Sequence, residues 1–259
     1  MNGAASTGSP GVPGMSAPQD ATRFRRGLAA LRIDGLGPVG LTVARLLLGL
    51  GPGTVVLCDD APVGTGDLDW GYLRTQRGRE RSAAAVALLS APERQRDRPG
   101  RGRGLPGRQA AEPVLIEAPE GARTPGVDVR LVTPDAPWPE SHELDDAGAL
   151  LPLALHGPGL PEVLVIGPLL TRHPGPCADC LDLHGVPRPV LRSTLEMPPH
   201  LVHLVAAVTV HQVQVLLDGR YAAACEQFQV IVDLGTGAAS TMPISSHPEC
   251  ACLTHLPAA

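Results

Sequence analysis

The sequence predicts an α/β fold: a Rossmann-like, mostly parallel sheet with a glycine-rich loop near its start and a metal-stapled C-terminal part. Three observations predict it. Gly35-x-Gly37-x-x-Gly40 lies between a strand-like run and a helical stripe. Val163–Ile166 is an unbroken apolar run, as in a strand buried on both faces. Two tight cysteine pairs, Cys177-x-x-Cys180 and Cys250-x-Cys252, stand far apart in the chain.

The elements follow in order. Residues 1–20 are dominated by Gly, Ala, Ser and Pro and cannot bury enough apolar surface to offset chain entropy, so a disordered tail is expected there. Residues 21–259 are expected to form one domain. Thr22–Leu28 reads as a short helix and Leu28–Asp34 as a strand entering the glycine loop. Pro38 suits the first turn of a helix, where a missing N–H costs nothing. Val39, Val43, Leu46, Leu47 and Leu50 then recur at helical spacing, and Gly51-Pro52-Gly53 stops the helix. Thr54–Cys58 is a β-branched strand ending at Asp59-Asp60. Arg79–Ser90 is an Ala-rich helix. Residues 91–111 are Arg, Gly and Pro with scarcely an apolar group. They read as a flexible, solvated linker rather than a patch for an anionic partner, because no aromatics interleave. Val114–Glu117, Val127–Thr133, Glu162–Gly167 and Gln227–Asp233 read as strands. His200–Leu217 reads as a buried helix ended by Gly219.

Composition narrows the function. The net charge is −5 and aromatic residues make up 2% of the chain, so neither the charge nor the stacking platforms of a nucleic-acid binder are present. Every basic residue is Arg, which removes Schiff-base and phosphate-binding lysines. No secretory h-region precedes the domain, and no uninterrupted apolar stretch is long enough to span a bilayer. A cytoplasmic protein without nucleic-acid or membrane partners is the expectation. Cys58 and Cys225 lie in apolar surroundings and read as core thiols.

Cys177, Cys180, Cys250 and Cys252 suit a four-thiolate zinc site, each pair holding one side of a tetrahedron. Free thiols, or disulfides in a secreted protein, are the alternatives. With four sulfur ligands the zinc would be structural, stapling residues 177–252. His173, His184 and His247 are possible substitute ligands.

The segment Ile33–Asp59 has the strand, glycine triplet, helix, strand and acid of a nucleotide-binding βαβ unit. Gly35 permits the tight turn, Gly37 a close approach of phosphate, and Gly40 close packing of helix on strand. Asp59 is placed to bind ribose hydroxyls. The same segment is compatible with a Rossmann-like fold that no longer binds its ligand.

These residues together resemble the ThiF/MoeB-type adenylyltransferases, relatives of ubiquitin-activating enzymes, and in particular actinobacterial ThiF-like proteins. The resemblance runs from about Leu28 to Cys252, apart from the Arg-rich linker. It is carried by Gly35–Gly40 with Val55–Asp59, by Asp128–Asp135, by Val165–Leu169 leading into Gly175–His184, and by His247–Cys252. It implies ATP and magnesium, activation of the C-terminal carboxylate of a small carrier protein or precursor peptide as an acyl-adenylate, and a homodimer or hetero-complex. Asp135 matches the family's magnesium acid. Arg81 is the nearest stand-in for its phosphate-binding Lys, and Asp67 stands where the family has Asn. The expectation is therefore a ThiF-like nucleotide-binding protein, catalytically weakened or partner-dependent. An active ATP-dependent adenylyltransferase and an NAD-dependent oxidoreductase are the alternatives, the last without any Tyr-x-x-x-Lys pair.

Overall fold

The computed structural model describes residues 17–91, 113–136, 147–156, 163–171, 176–184 and 197–253. The expected linker thus lies almost wholly outside the described residues, as do His173 and residues 1–16.

The first half is built as the sequence predicts. Strand β1 (Ala30–Asp34) feeds the glycine loop and helix α2 (Pro38–Leu48), which returns the chain to β2 (Thr54–Cys58) beside β1. Helix α3 (Arg81–Ser90) leads to β3 (Val114–Ala118) at the sheet edge, and β4 (Val127–Val132) pairs with β1 on its other side. Strand β5 (Ala147–His156) completes a block of five parallel strands in the order β3-β2-β1-β4-β5. Leu31, Ile33, Val55, Leu57, Leu131, Leu151 and Leu153 point from these strands into one core and are fully buried. Alternation along each strand sends them all to one face.

Helix α2 lies on that face, between the sheet and α5 (Pro199–Asp218). That sandwiched position explains why Val39, Leu41, Val43, Ala44 and Leu47 are all buried, more than a single stripe. Helix α5 is the one described helix apolar enough, by length and composition, to cross a membrane. Here its buried residues, among them Val202, Val205, Ala206 and Val213, join the same core. Gly219 ends it at φ 59°, with its N–H on the Val215 carbonyl.

Three features depart from the expectation. Helix α1 (Ala17–Leu28) starts earlier than Thr22, inside the segment expected to be disordered. Tertiary contacts supply what its own apolar surface does not: Arg26 Nε and Nη2 donate to the Asp218 carboxylate at 2.6 and 2.7 Å. Strand β5 has no counterpart in the sequence reading, because Leu, Ala and Pro152 are poor strand signals. Beyond β5 the sheet turns antiparallel. Strand β6 (Val163–Ile166), then β8 (Phe228–Asp233) and β9 (Ala239–Pro243), extend it, while the short β7 (Leu170–Thr171) pairs with the first half of β5.

The opposite face carries charge at its centre. Arg32, Asp34 and Arg130 are buried there, with Asp34 accepting from both guanidinium groups. Arg32 also donates to the carbonyl of Ala122 and to Thr124 Oγ1, which ties the loop before β4 beneath the sheet. A smaller apolar cluster lies beside them: Val132, Ala136, Leu150, Leu170, Ala178, Leu181 and Ile244. It attaches helix α4 (Ala178–Leu183) and the segment before the second cysteine pair to the sheet.

The seat of α2 on β1 depends on one close approach. A Cβ on Gly40 would overlap the carbonyl oxygen of Gly35. Gly40→Ala is expected to push α2 away from the loop and to destabilise the fold by about 1–3 kcal/mol. A urea unfolding curve checks this, and an unchanged midpoint would show that the helix can shift without loss.

Candidate functional site

The expected site residues converge at the C-terminal ends of β1, β2 and β4. Gly35 has φ +83°, a left-handed conformation that only glycine takes readily, and its N–H donates to the Cys58 carbonyl at 2.9 Å. Its own carbonyl accepts from Thr133 Oγ1 at 3.0 Å. Gly37 lies against Asp135: a Cβ there would overlap that carboxylate. Pro38 opens α2, so the following N–H groups of Val39 and Gly40 stand in the first turn, where no helix carbonyl precedes them.

Asp59 is the junction of this region. Its Oδ2 accepts the Leu36 N–H at 2.6 Å and its Oδ1 the Ala61 N–H at 2.9 Å. Its backbone carbonyl accepts the Ser82 N–H at the start of α3. Burial pushes its carboxyl up, and the Leu36 N–H and Arg81 pull against that rise. Tyr72, a buried residue the sequence reading passed over, donates its hydroxyl to the Leu36 carbonyl at 2.9 Å. The loop is thus held from both sides.

Arg81 and Asp135 do come together with Asp59, and Asp67 joins them. Arg81 Nε and Nη2 meet the two Asp67 oxygens at 3.1 and 3.0 Å, while Nη1 is 3.5 Å from Asp59 Oδ2. Burial works against the Arg81 charge, but Asp59 and Asp67 outweigh it and hold its pKa above the ordinary value. Asp135, half-buried beside Gly37, is pushed up to about 6. Burial is the main cause; Arg81 opposes it, and Asp59 and Asp67 add to it. The Arg81–Asp67 pair could not be read from sequence, because a contact across a 3-10 turn (Gly66–Trp70) has no periodic signature.

The second assembly is sulfur. The Sγ atoms of Cys177, Cys180, Cys250 and Cys252 all lie within 4.8 Å of one another. Three of the separations are 3.6, 3.5 and 3.5 Å. Four thiolates at 2.3 Å around a tetrahedral ion would stand about 3.8 Å apart, so the cluster could hold a metal ion of zinc's size. Burial alone would raise the Cys180 thiol; the His247 N–H, 3.3 Å from its sulfur, and the neighbouring thiols outweigh burial and lower it to about 7. Of the substitute ligands, His184 and His247 are not in the cluster. His184 Nε2 is 2.9 Å from the Ser245 carbonyl, and His247 Nδ1 accepts the Glu249 N–H.

No protein-family model matches this sequence, and no curated protein matches it. Solved structures do. The microcin C7 biosynthetic enzyme MccB in complex with N-formylated MccA superposes with a TM-score of 0.69 at 13% identity, over 89% of this chain and 69% of that one. E. coli MccB with ATP gives 0.66 at 14% identity, over 89% and 68%. PaaA gives 0.62 at 16% identity, over 87% and 67%. The chain has the fold of MccB and PaaA. At these identities the likeness is one of fold, and at that level it supports the ThiF/MoeB-type resemblance read from the sequence.

Two expected outcomes follow from the geometry. Protein purified without chelator should carry one metal ion per chain, lost together with thermal stability in Cys177→Ala/Cys180→Ala. Less than about half an ion per chain by elemental analysis would overturn the four-thiolate assignment. The second concerns Asp135, whose folded-state pKa lies above the unfolded value. The folded state then binds the extra proton, and stability is lost as pH rises from about 4 through about 6. Asp135→Asn, which cannot ionise, should raise the melting temperature at about pH 7.5 and give no gain at about pH 4. A gain of equal size at both pH values would assign it to packing instead.

Proposed function

We propose that this chain is a ThiF/MoeB-type nucleotide-binding protein in the maturation of a peptide or small carrier protein. Its own adenylylating power is weakened, and it works as a partner-dependent subunit, as a homodimer or in a hetero-complex. The fold supports the class: MccB has been solved with ATP and with the peptide MccA. The reaction implied is attack of a carboxylate oxygen on the α-phosphorus of ATP, which forms an acyl-adenylate and releases pyrophosphate. In this chain Gly35, Gly37, Gly40 and the start of α2 would face the phosphates, with Asp59 at the ribose and Asp135 at magnesium. The fit is supported at the ribose end and the loop by the placement of Asp59 and the left-handed Gly35. It fails at the phosphate cation, and that observation carries the weakened reading: Arg81 is engaged by Asp67 and Asp59. Developing phosphate charge needs pre-placed cations, each worth a few kcal/mol. In this reading a partner supplies them.

The four thiolates are proposed to hold a structural zinc, since sulfur-only sets favour soft or borderline metals and leave no open position. The site of action is proposed to be the cytoplasm, where thiols stay reduced.

The isolated chain is expected to bind ATP weakly, with Asp59→Ala reducing the affinity roughly tenfold or more. Calorimetry reads the binding, and ATP–pyrophosphate exchange with candidate peptides and carrier proteins reads the chemistry. No exchange is expected from the chain alone. Robust exchange abolished by Arg81→Ala or Asp135→Ala would make it an active adenylyltransferase; binding of NADH without ATP would favour the oxidoreductase.

A further inference from the structure

Asp67 is fixed before it meets Arg81. Its Oδ2 accepts the Gly64 N–H at 2.7 Å, and its side chain is 6% exposed. From there it takes the guanidinium in a two-point fork, and the remaining nitrogen faces Asp59. All three Arg81 nitrogens are therefore turned to carboxylates. An arginine that neutralises a phosphate does so with the same paired N–H groups. The surroundings add to the conflict. Among the described residues Asp59, Asp67 and Asp135 share one guanidinium, which leaves two negative charges in surplus where a polyanion is to bind. Asp59 and Asp135 each have a further task in the nucleotide reading. Asp67 has none: its carboxylate is bonded to Gly64 and Arg81, and its backbone carbonyl accepts the Tyr72 N–H at 3.4 Å.

We propose that the Asp67–Arg81 fork is a latch that sets the pocket's affinity for polyphosphate, by holding Arg81, the cation that faces these carboxylates among the described residues, away from the phosphates. The inference rests on the nucleotide reading above and names the residue that weakens it. Asp67 acts through Arg81 and is a positioning residue. An amide in its place would still accept the Gly64 N–H through its oxygen, so the turn stays anchored. It would accept from Arg81 at one point rather than two, and it would remove one of the two surplus negative charges.

The experiment measures AMP, ADP and ATP affinity by calorimetry at constant magnesium, for the whole chain and its variants. Asp67→Asn should bind ATP about tenfold more tightly than the parent, as expected when one nearby charge is removed in a partly screened site. The gain should shrink through ADP and nearly vanish for AMP, because it scales with phosphate charge. Asp67→Glu, which keeps the carboxylate, should show no gain. Arg81→Gln added to Asp67→Asn should abolish most of it. Asp67→Ser gives a second test should the amide variant fold poorly, with melting curves as the control. An equal gain for AMP and ATP would overturn the latch, since that pattern marks a loosened pocket. Unchanged ATP affinity in Asp67→Asn, with parental binding still lost in Asp59→Ala, would overturn the latch and leave the nucleotide reading standing. No nucleotide binding by any version would overturn both.

Discussion

Three connections meet at the Asp59 carboxylate: the glycine loop after β1, the turn after β2, and the entry to α3. It accepts an N–H from Leu36 and another from Ala61, and it faces Arg81, while its own backbone carbonyl receives Ser82. A buried carboxylate is held ionised only where donors and a cation surround it. The loop, the helix start and the Arg81 side chain are thus placed by the needs of one charge. Tyr72 completes the arrangement from the other side of Leu36. The acid suited to a ribose is therefore also the acid that shapes the loop. A ligand there would share Asp59 with the Leu36 N–H, which an oxygen with two lone pairs permits.

The region around the sulfur cluster is held differently. Its apolar cluster is small, built from Ala136, Ala178, Val132, Leu150, Leu170, Leu181 and Ile244. Burial of a few such side chains gives little to set against chain entropy. The sulfur cluster joins α4 to the chain after β9, and a metal bound there would contribute its affinity directly to folding. The antiparallel extension β6-β8-β9 bridges the two parts, since β6 lies beside β5 and β9 leads toward Cys250.

The sequence made the βαβ unit and the cysteine pairs legible because both carry local, position-specific demands. Gly35 must turn left-handed, Gly40 must let α2 approach, and paired cysteines keep tight spacing. Strand β5 was not legible, because its Ala, Leu and Pro152 owe their strand conformation to β4 and β6 rather than to propensity. Nor were Arg32, Asp34 and Arg130: charges inside parallel strands contradict the apolar pattern, and only the fold brings the three together. The same holds at the site. Arg81 was identified as the candidate phosphate cation, yet its binding to Asp67 depends on how the 66–70 turn is folded, and no spacing rule encodes that.

Fold and chemistry are set by different residues here. The glycines, the apolar strands and the sulfur cluster belong to the architecture, a fold this chain shares with MccB at only 13–14% identity. None of them fixes the electrostatics of the pocket. Those depend on Arg81, Asp59, Asp67 and Asp135, and the balance among them is acidic. The raised pKa values of Asp59 and Asp135 show that burying this acidity works against the folded state. Apolar or amide side chains of similar volume at these positions would remove that penalty, so packing alone gives no reason for the cluster. A pocket with surplus negative charge becomes favourable when positive charge enters it, from a divalent ion accompanying a nucleotide or from a partner's side chain. A bound metal ion or a partner's cation would meet that electrostatic demand, and the second case is the partner-dependent reading proposed above.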